Sequence, residues 1–423
     1  MTPSAALRST MAARARQLAG PSLIAKVRCL VRGYGLPRWG NLRRTTPFSA
    51  TYGFDRGTPI NRYYLNVFLS AHRDLISGAV LEVQTDGYTE RFGAGVTRAD
   101  TFDIVPLFSP TYLCEDAAMT TVPFSGSAKA GLLASGWYAS KLEDQTFPGV
   151  LALCYHGVRA SADDDPGMPF ANLHVFEETF AAQCRVIAET CHPIDLAAFG
   201  EARATGCELP RRPVLMTFDD GYRSVFDLAR PILLQHNIPA TMFVCSEPIR
   251  DQRLFWFDAV ARALGPDAVN EARALPHEGW RAVARKYETS ASTAPTLAPM
   301  TAAHVRQLAD EGFTIGVHTA SHAPLAGASS DVQRRELQSC RAALEEWTGR
   351  SVSTLAYPFG APRADYDDES VAVAGSLGFA AGFNTRSGFA RPDEPPLERS
   401  RFVVLAAVTA AELAHRIAYA WPR

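Results

Sequence analysis

From Leu151 onward the chain alternates short apolar runs with amphipathic stretches, and that alternation leaves few folds open. "GVLALCYHGV" reads as a strand, "VFEETFAAQCRVIAET" as a helix, "PVLMTF" as a strand, "YRSVFDLARPILLQHN" as a helix and "ATMFVC" as a strand. "TAAHVRQLADEG" follows as a helix capped by Thr301 and stopped at Gly312, and "FTIGVH" as a further strand. Strand–helix units of this length join parallel strands through right-handed crossovers. The expected fold is an α/β domain, barrel or doubly wound, with functional residues at the C-terminal ends of its strands.

A chain of 423 residues exceeds one ordinary core, so two or three domains are expected. Its formal net charge is -2, which gives no electrostatic reason for a nucleic-acid partner. The eight cysteines form no CxxC pair and read as reduced core residues, which suits a cytoplasmic protein. The N-terminus lacks the apolar run of a secretory signal, and no segment has the length of a membrane span. Residues 1–45 form a basic tail with no acid before Asp55. Such a segment suits an anionic membrane surface or a transit peptide, but a plain, partly disordered basic tail with a short helix around "SLIAKVRCLV" is the expectation.

Two further regions break the alternation. Residues 46–147 contain the strand "AVLEVQ", the turn "VQTDGYTERFGAG" and a later strand "TFDIV". This resembles the opening of a class I methyltransferase, although the turn falls short of GxGxG and too few residues follow for a full nucleotide-binding sheet. A truncated structural α/β remnant is the expectation. Residues 247–301 read as an insertion with one or two helices around Trp256, Phe257, Val260 and Leu264, forming one wall of an active-site cleft.

Three motifs carry chemistry. "TFDDGY" places Asp219 and Asp220 at a strand end, where like charges need a cation or donors beside them. "GVHTASH" places His318 and His322 four residues apart just past another strand, a spacing that lets both rings face one cation if the chain curls between them. Two histidines and one carboxylate leave an open position, the pattern of a hydrolytic metal site. "LAYPFGAPR" ends a strand in a rigid Pro358 and a permissive Gly360, a loop suited to presenting an N–H and an aromatic wall to a ligand.

In this order and at these separations, "TFDDGY", "HTASH" and "YPFG" resemble the first three motifs of the polysaccharide deacetylase family, the NodB-homology carbohydrate esterases. The likeness runs over about residues 148 to 405, with "LCYHGV" near its start and "LERSRF" near its end, within a domain spanning 148–423. It implies a distorted (β/α) barrel of seven or eight strands that removes N-acetyl groups from sugars with a divalent metal, zinc first and cobalt or nickel as alternatives. Asp219 then corresponds to the general base, and Asp220, His318 and His322 to the metal ligands. His156 corresponds to the general acid, the Phe359 N–H to an oxyanion donor, and Thr319 to the hydroxyl that steadies the histidine loop. Tyr222, Tyr357 and Pro358 are expected at the sugar. The family's third motif commonly opens with an arginine that braces the base, and here that position is Ala356. Arg399 is the expected substitute.

The implied partner is an N-acetylated glycan or sugar precursor. Three alternatives stay open: an O-acetyl esterase, a hydrolase of small amides or formamides on the same metal, and a degenerate module that binds glycan without cleaving it.

Overall fold

The computed structural model describes residues 78–83, 96–103, 112–113 and 126–420, apart from 164 and 392. The basic tail and residues 84–95 of the methyltransferase-like turn lie outside the described residues. The chain divides into two compact units, Met1–Leu113 and Cys114–Arg423. In the first, β1 (Gly78–Val83), β2 (Val96–Asp103) and β3 (Tyr112–Leu113) pair in parallel in that order.

The second unit opens with α1 (Gly126–Ala134) and α2 (Trp137–Glu143), then β4 (Leu151–Tyr155), β5 (Gly157–Arg159), β6 (His174–Phe176), α3 (Glu177–Thr190), β7 (His192–Pro193) and α4 (Leu196–Thr205). It continues through β8 (Pro213–Phe218), α5 (Arg230–Gln235), β9 (Ala240–Val244), α6 (Ser246–Asp251), α7 (Trp256–Leu264), α8 (Pro266–Arg273) and α9 (His277–Lys286). It ends with α10 (Ala302–Asp310), β10 (Thr314–Val317), α11 (Ser330–Thr348), β11 (Thr354–Ala356), α12 (Asp368–Ser376), β12 (Ala381–Phe383), β13 (Phe402–Val403) and α13 (Ala410–His415).

Seven parallel strands line up as β12-β11-β10-β9-β8-β4-β13, with β7 paired to the start of β8. The sheet curls into a half-barrel, and a single parallel bridge between Phe383 and Arg399 joins its edges. The apolar runs are continuous because both faces are buried. Val150, Ala152, Leu215, Phe243, Ala356 and Phe383 fill the inside. The alternate residues Leu151, Leu153, Tyr155, Val214 and Met216 belong to the core beneath the helices, which also holds Phe180, Ile187, Leu337 and Leu344.

Two expectations shift. Helices α1 and α2 pack within the barrel unit, through Lys129 to Glu412 and Tyr138 Oη to His415 Nδ1 at 3.1 Å, so this unit starts well before residue 148. The 247–301 region holds more helix than its sequence suggests. Gly265, at φ 95°, and Pro266 at the first turn of α8 split what reads as one run, and Pro276 caps α9.

Candidate active site

The catalytic candidates stand where parallel strands end. Asp219 and Asp220 follow β8, His318 follows β10, and His156 sits between β4 and β5. Gly221 makes the first of these turns possible. It holds φ 100°, and a Cβ there would meet the Val244 side chain at 3.0 Å. Asp220, Thr319, His322 and Phe359 also hold positive φ without being glycine, at 70°, 61°, 57° and 59°. Strain of this kind persists only where surrounding structure enforces it, and it gathers at functional sites.

His318 Nδ1 lies 2.8 Å from the carbonyl oxygen of Ala356. A carbonyl only accepts, so Nδ1 carries the proton and Nε2 of the neutral ring presents a lone pair. That lone pair faces Asp220 Oδ1 at 3.3 Å, and His322 Nε2 faces the same oxygen at 3.2 Å. Asp220 Oδ1 is buried and makes no hydrogen bond among the described residues. Acceptors converging on an orphaned carboxylate oxygen need a proton or a cation among them. One carboxylate and two imidazoles, all buried and within 4.8 Å of one another, are the donor set of a zinc-like ion, so the residues fit the metal that the motif implies. Burial pushes the Asp220 carboxyl up, and with no ion bound only protons on the two facing imidazole nitrogens outweigh it and hold the group well below the usual carboxylate range.

Asp219 takes a different set of partners. Arg401 grips it with two parallel bonds, Nη1 to Oδ1 and Nη2 to Oδ2, both at 2.7 Å, and the Cys154 thiol donates to Oδ2 at 3.3 Å. Burial raises this carboxyl too, and Arg401 with His318 brings it below its ordinary value. The brace expected of Arg399 therefore comes from Arg401. Arg399 hydrogen-bonds the Arg391 carbonyl oxygen and lies 5.3 Å from the Phe199 ring centroid. The arginines stand two positions apart, about 6.6 Å if the chain is extended, and it is the later one that grips Asp219. Ala356 then serves through its carbonyl oxygen, which fixes the His318 tautomer.

The cleft over these groups encloses about 120 Å³ and is lined by His156, Asp219, Asp220, His318, His322 and Phe359, among others. The insertion supplies Phe257, Val269, Asn270 and Arg273, so it does form one wall. The Arg273 guanidinium lies 4.9 Å from the Phe359 ring centroid and 3.5 Å from Asp365, tying that wall to the third-motif loop. The Phe359 N–H has no acceptor among the described residues. Thr319 Oγ1 accepts from the Ala323 N–H at 2.9 Å and so steadies the histidine loop.

Three candidate sugar contacts stand elsewhere. Tyr222 is buried, its hydroxyl donating to Asp258 Oδ2 at 2.7 Å, because the turn after Gly221 directs the ring into the insertion's core against Phe255. Tyr357 follows the inward-facing Ala356, so strand alternation turns it outward, where it stacks on Tyr366 at 3.9 Å. Pro358 is buried and does not line the cleft. Sequence reasoning also passed over Cys154, Asn270 and Arg273. The apolar alternation of β4 would have placed Cys154 inside the barrel with Ala152.

Residues 207–382 match the family model described as polysaccharide deacetylase. Over this stretch the chain is similar to polysaccharide deacetylases. Asp219, Asp220, His318 and His322 all fall within the match, whereas His156 and Arg401 lie outside it. The chain is 22% identical over 181 residues to YxkH of Bacillus subtilis, covering 43% of this chain and 47% of that protein. It is 33% identical over 103 residues to the poly-beta-1,6-N-acetyl-D-glucosamine N-deacetylase of Escherichia coli K12, covering 24% of this chain and 15% of that protein. The chain thus spans about half or less of the curated relatives it matches. Among solved structures it is similar to the Streptococcus pyogenes deacetylase PplD in complex with acetate, at 20% identity and a TM-score of 0.48 over 64% of this chain and 98% of that one.

Proposed function

We propose that the chain is a metal-dependent hydrolase that removes N-acetyl groups from an amino-sugar glycan and releases acetate. One observation carries this reading: a buried histidine–histidine–aspartate set stands beside a second aspartate that is separately braced by arginine. Asp220, His318 and His322 would hold the ion, and Asp219 is spared from ligation by Arg401. A divalent ion bound there supplies Lewis-acid polarisation and lowers the pKa of water toward about 7.

The chain's own groups do the rest. Asp219 is ionised at neutral pH and accepts the proton of the attacking water. A carboxylate held below its usual range is a weak base toward free water. The Phe359 N–H donates to the oxygen that gains charge as the amide carbonyl is attacked. His156, in the same cleft, gives a proton to the departing amine. Phe257 and Phe359 offer apolar faces to the sugar ring or acetyl methyl, and Asn270 and Arg273 offer hydrogen bonds to its hydroxyls.

The test is acyl specificity. Full-length protein reconstituted with zinc or cobalt is given N-acetylglucosamine oligomers, O-acetylated sugars and small amides or formamides. Acetate release from the N-acetylated oligomers above the other substrates is expected. Preferential cleavage of the esters or of non-sugar amides would move the assignment, and glycan binding without release from any substrate would make the domain a binding module.

A further inference from the structure

The loop from His318 to Ala323 has two residues in the left-handed region, and its backbone is held group by group. The His318 N–H donates to the Val244 carbonyl at 3.1 Å, and the Cys245 thiol donates to the His318 carbonyl at 3.1 Å. The Glu247 N–H donates to the Ala320 carbonyl at 2.7 Å, and the Trp256 indole N–H donates to the His322 carbonyl at 3.0 Å. Three further donors of the loop converge on one side chain of α11. The N–H groups of Ala320 and Ser321 reach Glu336 Oε2 at 3.1 and 3.0 Å, and Ser321 Oγ reaches Oε1 at 2.9 Å.

Glu336 is buried and touches neither the cleft nor any of the three ligand atoms. Its donors come from the two residues midway between the histidines. Holding these fixes how far the chain curls, and that curl sets the separation of the two Nε2 atoms. A glutamine of the same shape keeps one acceptor oxygen and brings a donor group against Ser321 or an N–H.

We propose that Glu336 is a positioning residue for the metal centre, fixing the histidine loop so that His318 and His322 meet one ion without rearrangement. This role rests on the reading of Asp220, His318 and His322 as ligands. The packing of α11 against the barrel asks only for a side chain that fills the space, so a glutamine separates the two roles.

Metal-free full-length protein is titrated with cobalt(II) and followed by visible absorption, for wild type, E336Q and S321A. E336Q should bind cobalt about tenfold more weakly and shift the ligand-field bands, while its far-UV circular dichroism without metal stays that of wild type. S321A, which loses one of the three bonds, should weaken binding about threefold. Wild-type affinity and spectrum in a folded E336Q overturn the proposal. If E336Q does not fold, S321A decides, and wild-type affinity and spectrum there overturn it equally. Absence of a cobalt spectrum in wild type would remove the metal site itself and this role with it.

Discussion

Asp219 is 2% exposed, and a carboxylate so buried stays charged only because Arg401 faces it. Replacing Arg401 with Met leaves burial to dominate, so the Asp219 pKa rises and the acid limb of the pH–rate profile moves to higher pH. Acetate release at neutral pH should fall about 100-fold, the scale of a lost general base. Arg399→Met should leave the position of that limb unchanged, which the pH–rate profiles of the two variants check. His174 supplies a second test. It is buried with neither ring nitrogen hydrogen-bonded among the described residues, and burial followed by the nearby His156 pulls it down to about 3. Between that value and an unfolded value of about 6.5 the unfolded chain binds a proton the folded chain does not. Stability from keeping His174 neutral is therefore complete above about pH 6.5 and is lost as pH falls toward 3. Urea unfolding at pH 7 and pH 4.5 should show wild type losing about 2 kcal/mol more than His174→Leu across that interval. Asp219, Asp220, His318 and His322 were legible in the sequence because strand ends and short spacing bring them together. Arg401 was not, since it differs from Arg399 by one pleat, and pleat position follows from strand register.

At the scale of elements, β5 and β6 determine where His156 stands. Gly157 follows it directly, and a Cβ there would lie 2.0 Å from His174 Nδ1 and 2.5 Å from Cε1. The pair Gly157–His174 is a register contact between the two strands, so the ring cannot withdraw without parting them. Gly157→Ala should cost about 1 to 3 kcal/mol, read as a lowered urea midpoint, and should reduce acetate release by displacing His156. The third-motif loop teaches the same lesson about what sequence conveys. Its Gly360 holds φ 77° with Thr385 packed where a Cβ would go, so the turn could be foreseen. The direction of Tyr357 could not, because it depends on Ala356 filling the barrel interior. The insertion announced its aromatic residues but not its Gly265–Pro266 break, and thus not that α8 carries Asn270 and Arg273 to the cleft.

At the scale of the molecule, strand–helix alternation predicted the parallel sheet, and local periodicity located β8 from Pro213 to Phe218 as expected. The edge bridge and the packing of α1 and α2 onto α13 are long-range contacts that no local pattern encodes. The proposed ion site, with Asp220 after β8 and His318 after β10, would also couple metal to folding, since an ion that binds only the folded state stabilises it by mass action. Zinc at 100 times its dissociation constant should add about 2.7 kcal/mol, seen as a raised thermal midpoint that a chelator reverses, and Asp220→Asn should abolish most of the increment. The central claim is that Asp219 acts as base beside an ion held by Asp220, His318 and His322. Its most direct test is acetate release from an N-acetylglucosamine oligomer by cobalt-loaded wild type and cobalt-loaded Asp219→Asn. Release by wild type, abolished by chelation and reduced at least about 100-fold in a variant that still binds cobalt, is the predicted result. Undiminished release by Asp219→Asn, or no release by metal-loaded wild type, would contradict it.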